Sequence, residues 1–221
     1  MAMDAPKQDT RAGGLVPIRS LRAGHRRQIT AHLLSLDEQD RYLRFGYSAN
    51  DEQIRRYVDG LDFEHDIVFG IFNRRLELLA MAHLAFLPQQ QDEPAGAEFG
   101  VSVMKKARGR GYGSLLFARA VVHARNEGVE LMFIHALSEN TAMIRIARHA
   151  GARLEREGSE TEAYLRLPPA TLDSRVTEMV EEQVAKADYR LKRRAKFLLD
   201  FLAGLQELRR GASDPRDKDR G

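Results

Sequence analysis

The stretch Arg108-Gly109-Arg110-Gly111-Tyr112-Gly113 decides the fold of this chain. It follows an apolar run over residues 98–103 and precedes a helical pattern over residues 114–126. A glycine-spaced turn between a strand and a helix gathers backbone N–H groups at the positive end of the helix dipole. Its last two glycines let the main chain approach a ligand closely, because glycine has no Cβ. The stretch therefore predicts a site for an anion such as a diphosphate, with both arginines at the rim.

The sequence after this stretch continues the alternation of strands and helices. Residues 131–137 are short, apolar and bounded by turn residues, which is typical of a buried strand. Asn140 is placed to cap the next helix and Gly151 to end it. Residues 153–157 and 161–167 predict two further strands.

The sequence before the stretch supplies the remaining elements. The patterned segments, in the order strand, helix, helix, strand and strand, are residues 15–19, 23–36, 51–61, 66–73 and 76–87. With the run that precedes the glycine stretch, the predicted order is β-α-α-β-β-β-α-β-α-β-β.

The Arg-x-x-Gly-x-Gly pattern, together with a helix that an Asn opens and a Gly closes, resembles the acyl-CoA diphosphate loop of the GNAT acetyltransferase superfamily. The resemblance covers about residues 15 to 167. It implies a mixed α/β GNAT fold, in which a mostly antiparallel central sheet of about seven strands is flanked by helices. It also implies an acyltransferase that moves an acetyl group from acetyl-CoA to a primary amine.

A second likeness, within that superfamily, is to the catalytic module of bacterial protein-lysine acetyltransferases. It rests on Leu34-Ser35-Leu36, on Asp40-Arg41-Tyr42-Leu43-Arg44-Phe45 and on Ala97-Glu98-Phe99-Gly100-Val101. The middle segment can equally be read as an amphipathic helix end with Tyr42 and Phe45 in the core. A protein lysine is therefore one expected acceptor, and a small-molecule amine is the other.

The resemblance also assigns the cofactor-binding residues, which lie on the end of the strand before the loop and on the loop itself. They are Val101, Ser102, Val103, Arg108, Gly109, Arg110, Gly111, Tyr112, Gly113 and Ser114, with Met104 and Lys105 as weaker candidates. Asn140 matches a position that often meets the CoA arm, although helix capping alone would explain it. Main-chain groups at residues 101–103 are expected to pair with pantetheine and to supply an N–H for the oxyanion.

Attack by an amine on a thioester needs a base. A lysine ammonium has a pKa near 10.4, so forming the neutral amine at pH 7 costs about 4.6 kcal/mol. Glu98 is the predicted base because it begins the strand before the loop and matches the Glu of the lysine acetyltransferases, although it could be a solvated carboxylate. His135 is the reserve base, and its alternative is a hydrogen-bonded core histidine. Ala147 stands where many GNAT enzymes carry a general-acid tyrosine.

Bulk composition narrows the class of protein. The chain has 221 residues, 43% hydrophobic and 30% charged, no cysteine and a net charge of +3. These values predict one globular domain with an appendage, and they exclude disulfides and a thiolate nucleophile. The spacing of the histidines predicts no metal site, and the charge predicts no nucleic-acid partner. Without an apolar segment long enough for a bilayer or a signal peptide, a cytoplasmic enzyme is expected.

The expected division of the chain is a flexible tail over residues 1–14, a GNAT domain over 15–167 and a helical extension over 168–221. In that extension residues 171–210 have few helix breakers and carry an apolar stripe. The stripe consists of Val180, Val184, Ala187, Leu191, Leu198, Leu202 and Leu205. It could form a homodimer seam, cover the acceptor cleft, or pack back on its own domain.

Two other functions compete with the acetyltransferase. One is an acyl-CoA sensor that catalyses little, which Ala147 and the helical extension would both permit. The other is a scaffold that binds partners through the extension. A dinucleotide-binding Rossmann unit is disfavoured, because the glycine stretch lies deep in the chain and no acidic residue ends the strand that follows.

Overall fold

The structure is a computed structural model that describes residues 16–88, 94–157, 160–171, 175–176, 178–182, 185 and 188–189. The predicted N-terminal tail and most of the apolar stripe lie outside these residues. No helix among the described residues is long and apolar enough to cross a lipid bilayer.

The sheet contains seven strands in the order β1-β2-β3-β4-β5-β7-β6. They are β1 (Arg19–Leu21), β2 (Ile67–Phe72), β3 (Leu78–Phe86), β4 (Gly96–Val103), β5 (Leu131–Leu137), β6 (Arg153–Glu157) and β7 (Glu160–Arg166). The helices are α1 (Arg26–Leu34), α2 (Glu38–Phe45), α3 (Asp51–Asp59), α4 (Tyr112–Asn126) and α5 (Thr141–His149), with 3₁₀ turns over Ala23–His25 and Lys105–Ala107. The predicted mixed sheet flanked by helices is thereby confirmed.

One pair of strands departs from the antiparallel pattern. β4 and β5 run parallel, and their register joins Gly96, Ala97 and Glu98 to Leu131, Met132 and Phe133. Beyond Glu98 the described part of β4 has no partner on this side, although β3 pairs with it as far as Val103. The two strands therefore diverge and leave a gap in the middle of the sheet.

The sequence prediction was wrong in two places near the N-terminus. The first strand begins at Arg19, and the described residues before it, 16–18, are not in a strand, because Pro17 has no N–H to donate to a strand ladder. The predicted helix over residues 23–36 ends at Leu34, and a separate helix, α2, follows it. The side chain of Asp37 caps α2 by accepting the Asp40 N–H at 2.9 Å, and Gly46 ends it with a φ of 78°.

Two apolar clusters lie on opposite faces of the sheet. The larger one packs the sheet against α4 and α5 and includes Phe99 and Leu116, with Val101 and Val103 at its margin. The smaller one packs the sheet against α1 and α3. Residues 99, 101 and 103 of β4 thus face α4, as the period-two pattern predicted, whereas residues 98, 100 and 102 face the other way.

Residues 175–176, 178–182, 185 and 188–189 of the C-terminal extension are helical, and several of them pack back on the domain. Arg119, a buried residue of α4, lies 3.3 to 3.7 Å from the carboxylates of Glu178, Glu181 and Glu182. Ala185 is buried, and the ring of Tyr189 stacks under the Arg19 guanidinium at 3.7 Å. Val180 is exposed, so a homodimer seam stays a prediction.

His32 of α1 forms hydrogen bonds with one residue of β3 and one residue of β4, and so ties the helix to the sheet. Its side chain is 2% exposed, with Nδ1 at 2.9 Å from the Leu78 carbonyl oxygen and Nε2 at 2.8 Å from Ser102 Oγ. A carbonyl oxygen can only accept, so Nδ1 carries the proton and Nε2 accepts the Ser102 hydroxyl hydrogen. Burial lowers the pKa of His32 to about 4, because the imidazolium would lose its hydration.

Removal of the Arg119 side chain should weaken the attachment of the extension. Arg119→Ala removes the buried guanidinium that lies within 3.7 Å of three carboxylates, and we expect a loss of about 3 kcal/mol in the free energy of unfolding, measured with urea. Arg56→Ala is the matched control because Arg56 is exposed on α3. Equal stability of both variants would contradict the structural role of Arg119.

The buried His32 should make stability depend on pH. Between pH 6.5, its unfolded pKa, and about pH 4, the unfolded chain binds a proton that the folded chain does not. Stability should therefore fall as the pH drops through this window, by up to about 3 kcal/mol. Urea unfolding of wild type and His32→Asn between pH 7 and 4 measures this, since other titrating groups cancel in the difference. A constant difference across the window would refute the assignment.

Candidate functional site

The glycine stretch forms a left-handed turn that leads into α4. Gly109 and Gly111 have φ values of 74° and 75°, a conformation that favours glycine, and Gly111 is the N-cap residue of the helix. It offers no side-chain acceptor, whereas the N-termini of α2, α3 and α5 are capped by the side chains of Asp37, Asn50 and Asn140. The N–H groups of the first turn of α4 are therefore left for an external acceptor.

Gly113 has an additional role that the sequence did not predict. A Cβ at this position would lie 3.2 Å from Cδ1 of Ile146 on α5. Glycine thus allows α4 and α5 to pack closely beside the loop.

A cavity of about 440 Å³ opens at this helix terminus and runs along the unpaired edge of β4. We call it the cofactor cavity. Its walls come from α2, β4, the loop, the start of α4 and the first turns of α5. Its residues are Leu36, Asp40, Leu43, Arg44, Val101, Ser102, Val103, Ala107, Arg108, Gly109, Gly111, Tyr112, Gly113, Ser114, Asn140, Ala142, Met143, Arg145 and Ile146.

The structure brings together all but one of the predicted cofactor-binding residues. Arg110 is exposed and does not line the cavity, and neither do the weaker candidates Met104 and Lys105. Met104 instead donates its N–H to the Leu79 carbonyl, and Lys105 begins a 3₁₀ turn. Asn140 does cap α5, with Oδ1 accepting the Met143 N–H at 3.1 Å, and it also lines the cavity.

Positive charge predominates in the cofactor cavity. Arg44, Arg108 and Arg145 line it, and Asp40 is the one acidic residue among its lining. Asp40 forms an ion pair with Arg108, which ties the loop to α2. An anionic ligand would therefore meet Arg44 and Arg145, which form no ion pair with a described residue, as well as the helix dipole.

A second cavity, of about 410 Å³, lies where β4 and β5 diverge, and we call it the acceptor cavity. It is lined by Leu43, Arg44, Phe45, Gly46, Tyr57, Glu98, Phe99, Gly100, Val101, His135, Ala136, Leu137, Asn140, Met143, Thr161 and Glu162. Leu43, Arg44, Val101, Asn140 and Met143 line both cavities, so the two meet at these side chains.

Both candidate bases lie in the acceptor cavity. Glu98 is exposed, and its carboxylate makes no hydrogen bond or ion pair with any described residue. His135 is 52% exposed, and its Nδ1 lies 3.3 Å from Oε1 of Glu162. The alternative interpretation of His135 as a core histidine is therefore wrong, because residue 135 lies on the open side of β5.

A hydrogen-bonded series that sequence reasoning missed borders the acceptor cavity. Arg44 donates from Nη2 to the Tyr57 hydroxyl at 3.0 Å, and that hydroxyl lies 2.9 Å from His83 Nδ1. His83 Nε2 lies 2.9 Å from Oδ2 of Asp66. Burial lowers the pKa of His83 and raises the pKa of Tyr57. No local motif marks these residues, because they come from α2, α3, β3 and the turn before β2.

Ala147 is buried in the larger apolar cluster. No ionisable side chain replaces the absent tyrosine at this position, and Ala147 lines neither cavity. No described residue of the C-terminal extension lines either of these two cavities, so this part of the extension does not cover the acceptor cleft.

Comparison with known proteins agrees with this architecture. The model of the acetyltransferase (GNAT) family matches residues 32–152. The GNAT domain of Streptomyces lividans PAT is 19% identical, with a TM-score of 0.58 over 68% of this chain and 89% of that one. A GNAT-family acetyltransferase from Streptococcus pneumoniae is 13% identical, with a TM-score of 0.54 over 68% and 98% of the two chains.

A third solved structure, yncA from Salmonella typhimurium, contains its cofactor acetyl-CoA. It is 16% identical to this chain, with a TM-score of 0.51 over 68% of this chain and 93% of that one. At such low identities these structures establish the fold alone. The family model, however, matches more than half of the sequence. The chain therefore belongs to the GNAT family of acetyltransferases.

Proposed function

We propose that this protein is an N-acetyltransferase that takes an acetyl group from acetyl-CoA and transfers it to a primary amine, on a protein lysine or a small molecule. The observation that carries the proposal is the continuity of the two cavities. One starts at the uncapped terminus of α4, the other contains Glu98, and they meet beside the open edge of β4.

The cofactor cavity suits an elongated polyanion. The diphosphate of acetyl-CoA would accept hydrogen bonds from the N–H groups of residues 109–114, at the positive end of α4. Arg108 and Arg145 line the same cavity and add positive charge. The pantetheine arm would then follow β4, whose main-chain groups beyond Glu98 have no partner on the β5 side.

The acceptor cavity carries the opposite charge balance. Glu98 and Glu162 line it, and Arg44 is the one arginine or lysine among its lining residues. Carboxylates at this position attract the ammonium form of an amine and can then accept its proton. This favours a basic amine as the acceptor.

The reaction itself needs few groups. Glu98 takes one proton from the ammonium and passes it to solvent, and the neutral nitrogen then attacks the thioester carbon. The nitrogen loses its second proton to Glu98, and the carbon–sulfur bond breaks to release the CoA thiolate. A thiol with a pKa near 8.5 is a good leaving group as the thiolate, so no general acid is required in place of Ala147. Main-chain N–H groups of β4 would stabilise the negative charge on the carbonyl oxygen.

A weakly catalytic acyl-CoA sensor is the second candidate, and the apolar burial of Ala147 favours it. Release of free thiol from acetyl-CoA in the presence of a lysine peptide or spermidine separates the two functions. Release at the rate of buffer alone, combined with micromolar binding of acetyl-CoA, would favour the sensor.

Gly111→Glu should abolish binding of acetyl-CoA, as measured by calorimetry. A glutamate at the N-cap residue of α4 places a negative charge where the diphosphate would lie, and a side chain at its positive φ is strained. Gly128→Glu is the matched control. Gly128 has a φ of 81° at the other end of the same helix, so this variant reproduces the strain and the charge away from the cavity. Retained affinity in Gly111→Glu would remove the loop from the site.

Glu98→Gln should lower kcat by about 100-fold and leave the affinity for acetyl-CoA unchanged. The amide of glutamine has nearly the same shape as the carboxylate but cannot accept the proton of the amine. His135→Gln is the matched variant for the reserve base. If kcat falls in His135→Gln and not in Glu98→Gln, the roles are reversed.

A further inference from the structure

Arg44 occupies the junction of the two cavities. Of the residues that line both, it is the one that carries a charge. Its guanidinium lies flat on Gly100 of β4, where a Cβ would come within 2.7 Å of both Cζ and Nη1. Glycine at position 100 therefore admits the guanidinium to the face of the strand.

The guanidinium has no counterion in the described part of the chain. No described carboxylate lies within ion-pair distance, Nε is buried without a hydrogen-bond partner, and Nη2 donates to the Tyr57 hydroxyl. Arg41, on the same helix, has both a counterion and several hydrogen-bond acceptors. It pairs with Asp51 at 2.8 Å and donates to the carbonyl oxygens of Leu34, Leu36 and Ala49. Arg41 therefore stabilises the fold, whereas Arg44 keeps donors and charge available to a ligand.

The hydrogen-bonded series of Tyr57, His83 and Asp66 fixes the position of the Arg44 guanidinium. A carboxylate can only accept, so His83 Nε2 donates to Asp66 and His83 Nδ1 accepts the Tyr57 hydroxyl hydrogen. The Tyr57 oxygen is then free to accept from Arg44. Asp66 is itself held by the Phe86 N–H at 3.1 Å. A donor held in this way needs little reorganisation when charge develops beside it.

We propose that Arg44 is a catalytic residue whose guanidinium stabilises the negative charge that develops on the thioester carbonyl oxygen. This inference rests on the proposed acetyl transfer. Amine and thioester can meet only where the acceptor cavity joins the cofactor cavity. When the nitrogen–carbon bond forms, the carbonyl π electrons move to oxygen, which becomes an oxyanion beside Arg44. The oxyanion then collapses and expels the CoA thiolate. Tyr57, His83 and Asp66 act as positioning residues.

The test compares Arg44→Gln, Gly100→Ala and the exposed control Arg56→Gln. In Gly100→Ala the new methyl group displaces the guanidinium without removing its charge, and only the end of a flexible side chain has to move. Thiol release is followed with a lysine peptide and with water as acceptors, and acetyl-CoA binding is measured by calorimetry. We expect kcat to fall about 100-fold in Arg44→Gln and less in Gly100→Ala, with the dissociation constant of acetyl-CoA changed less than about twofold. Arg56→Gln should behave as wild type.

Chemical rescue separates charge stabilisation from a structural role. Methylguanidinium should restore part of the kcat of Arg44→Ala, and the neutral analogue methylurea should not. Unchanged kcat in Arg44→Gln, or failure of rescue in a folded Arg44→Ala, would overturn the inference. Thiol release is also measured with succinyl-CoA as the donor. A fall in kcat confined to succinyl-CoA would overturn the inference too, because it would make Arg44 a binding residue for an acyl carboxylate. A wild type without turnover for any acceptor would overturn the proposed function together with this inference, whereas an active wild type with active variants overturns the inference alone.

Discussion

The divergence of β4 and β5 is the constraint on which the rest of the structure depends. The parallel pairing of these strands ends at Glu98, although β4 continues to Val103. A strand edge in the middle of a sheet therefore keeps main-chain donors and acceptors that must find a partner. Both cavities open along this edge, and α4 points its uncapped terminus at the same space. Main-chain groups alone, at the edge of β4 and at the N-terminus of α4, could therefore bind an extended ligand.

Charge is then distributed along this gap in the order that acyl transfer would require. Arginines line the end where a diphosphate would lie, carboxylates line the end where an amine would enter, and Arg44 stands between them. Ser102, which lines the cofactor cavity, is held from behind by the uncharged ring of the buried His32.

Local chemistry explains what the sequence could predict. The glycine turn, the β5 strand and the Asn140 cap each depend on a few neighbouring residues, and the structure has all three. The sequence analysis did not predict α2 as a separate helix, because its segment is short and can equally be read as the end of an amphipathic helix. The contact of Arg44 with Gly100 joins α2 to β4 across a long stretch of chain, and no local pattern encodes it. The packing of the extension on Arg119 was left open for the same reason.

A crystal structure with a thioether analogue of acetyl-CoA, in which a methylene separates the sulfur from the carbonyl, would show where the diphosphate and the acyl group bind. We expect a diphosphate held by the N–H groups of residues 109–114, pantetheine paired with β4 beyond Glu98, and the carbonyl oxygen at the junction beside Arg44 and Val101. A diphosphate bound away from the terminus of α4, or an acyl group directed away from the acceptor cavity, would contradict this expectation.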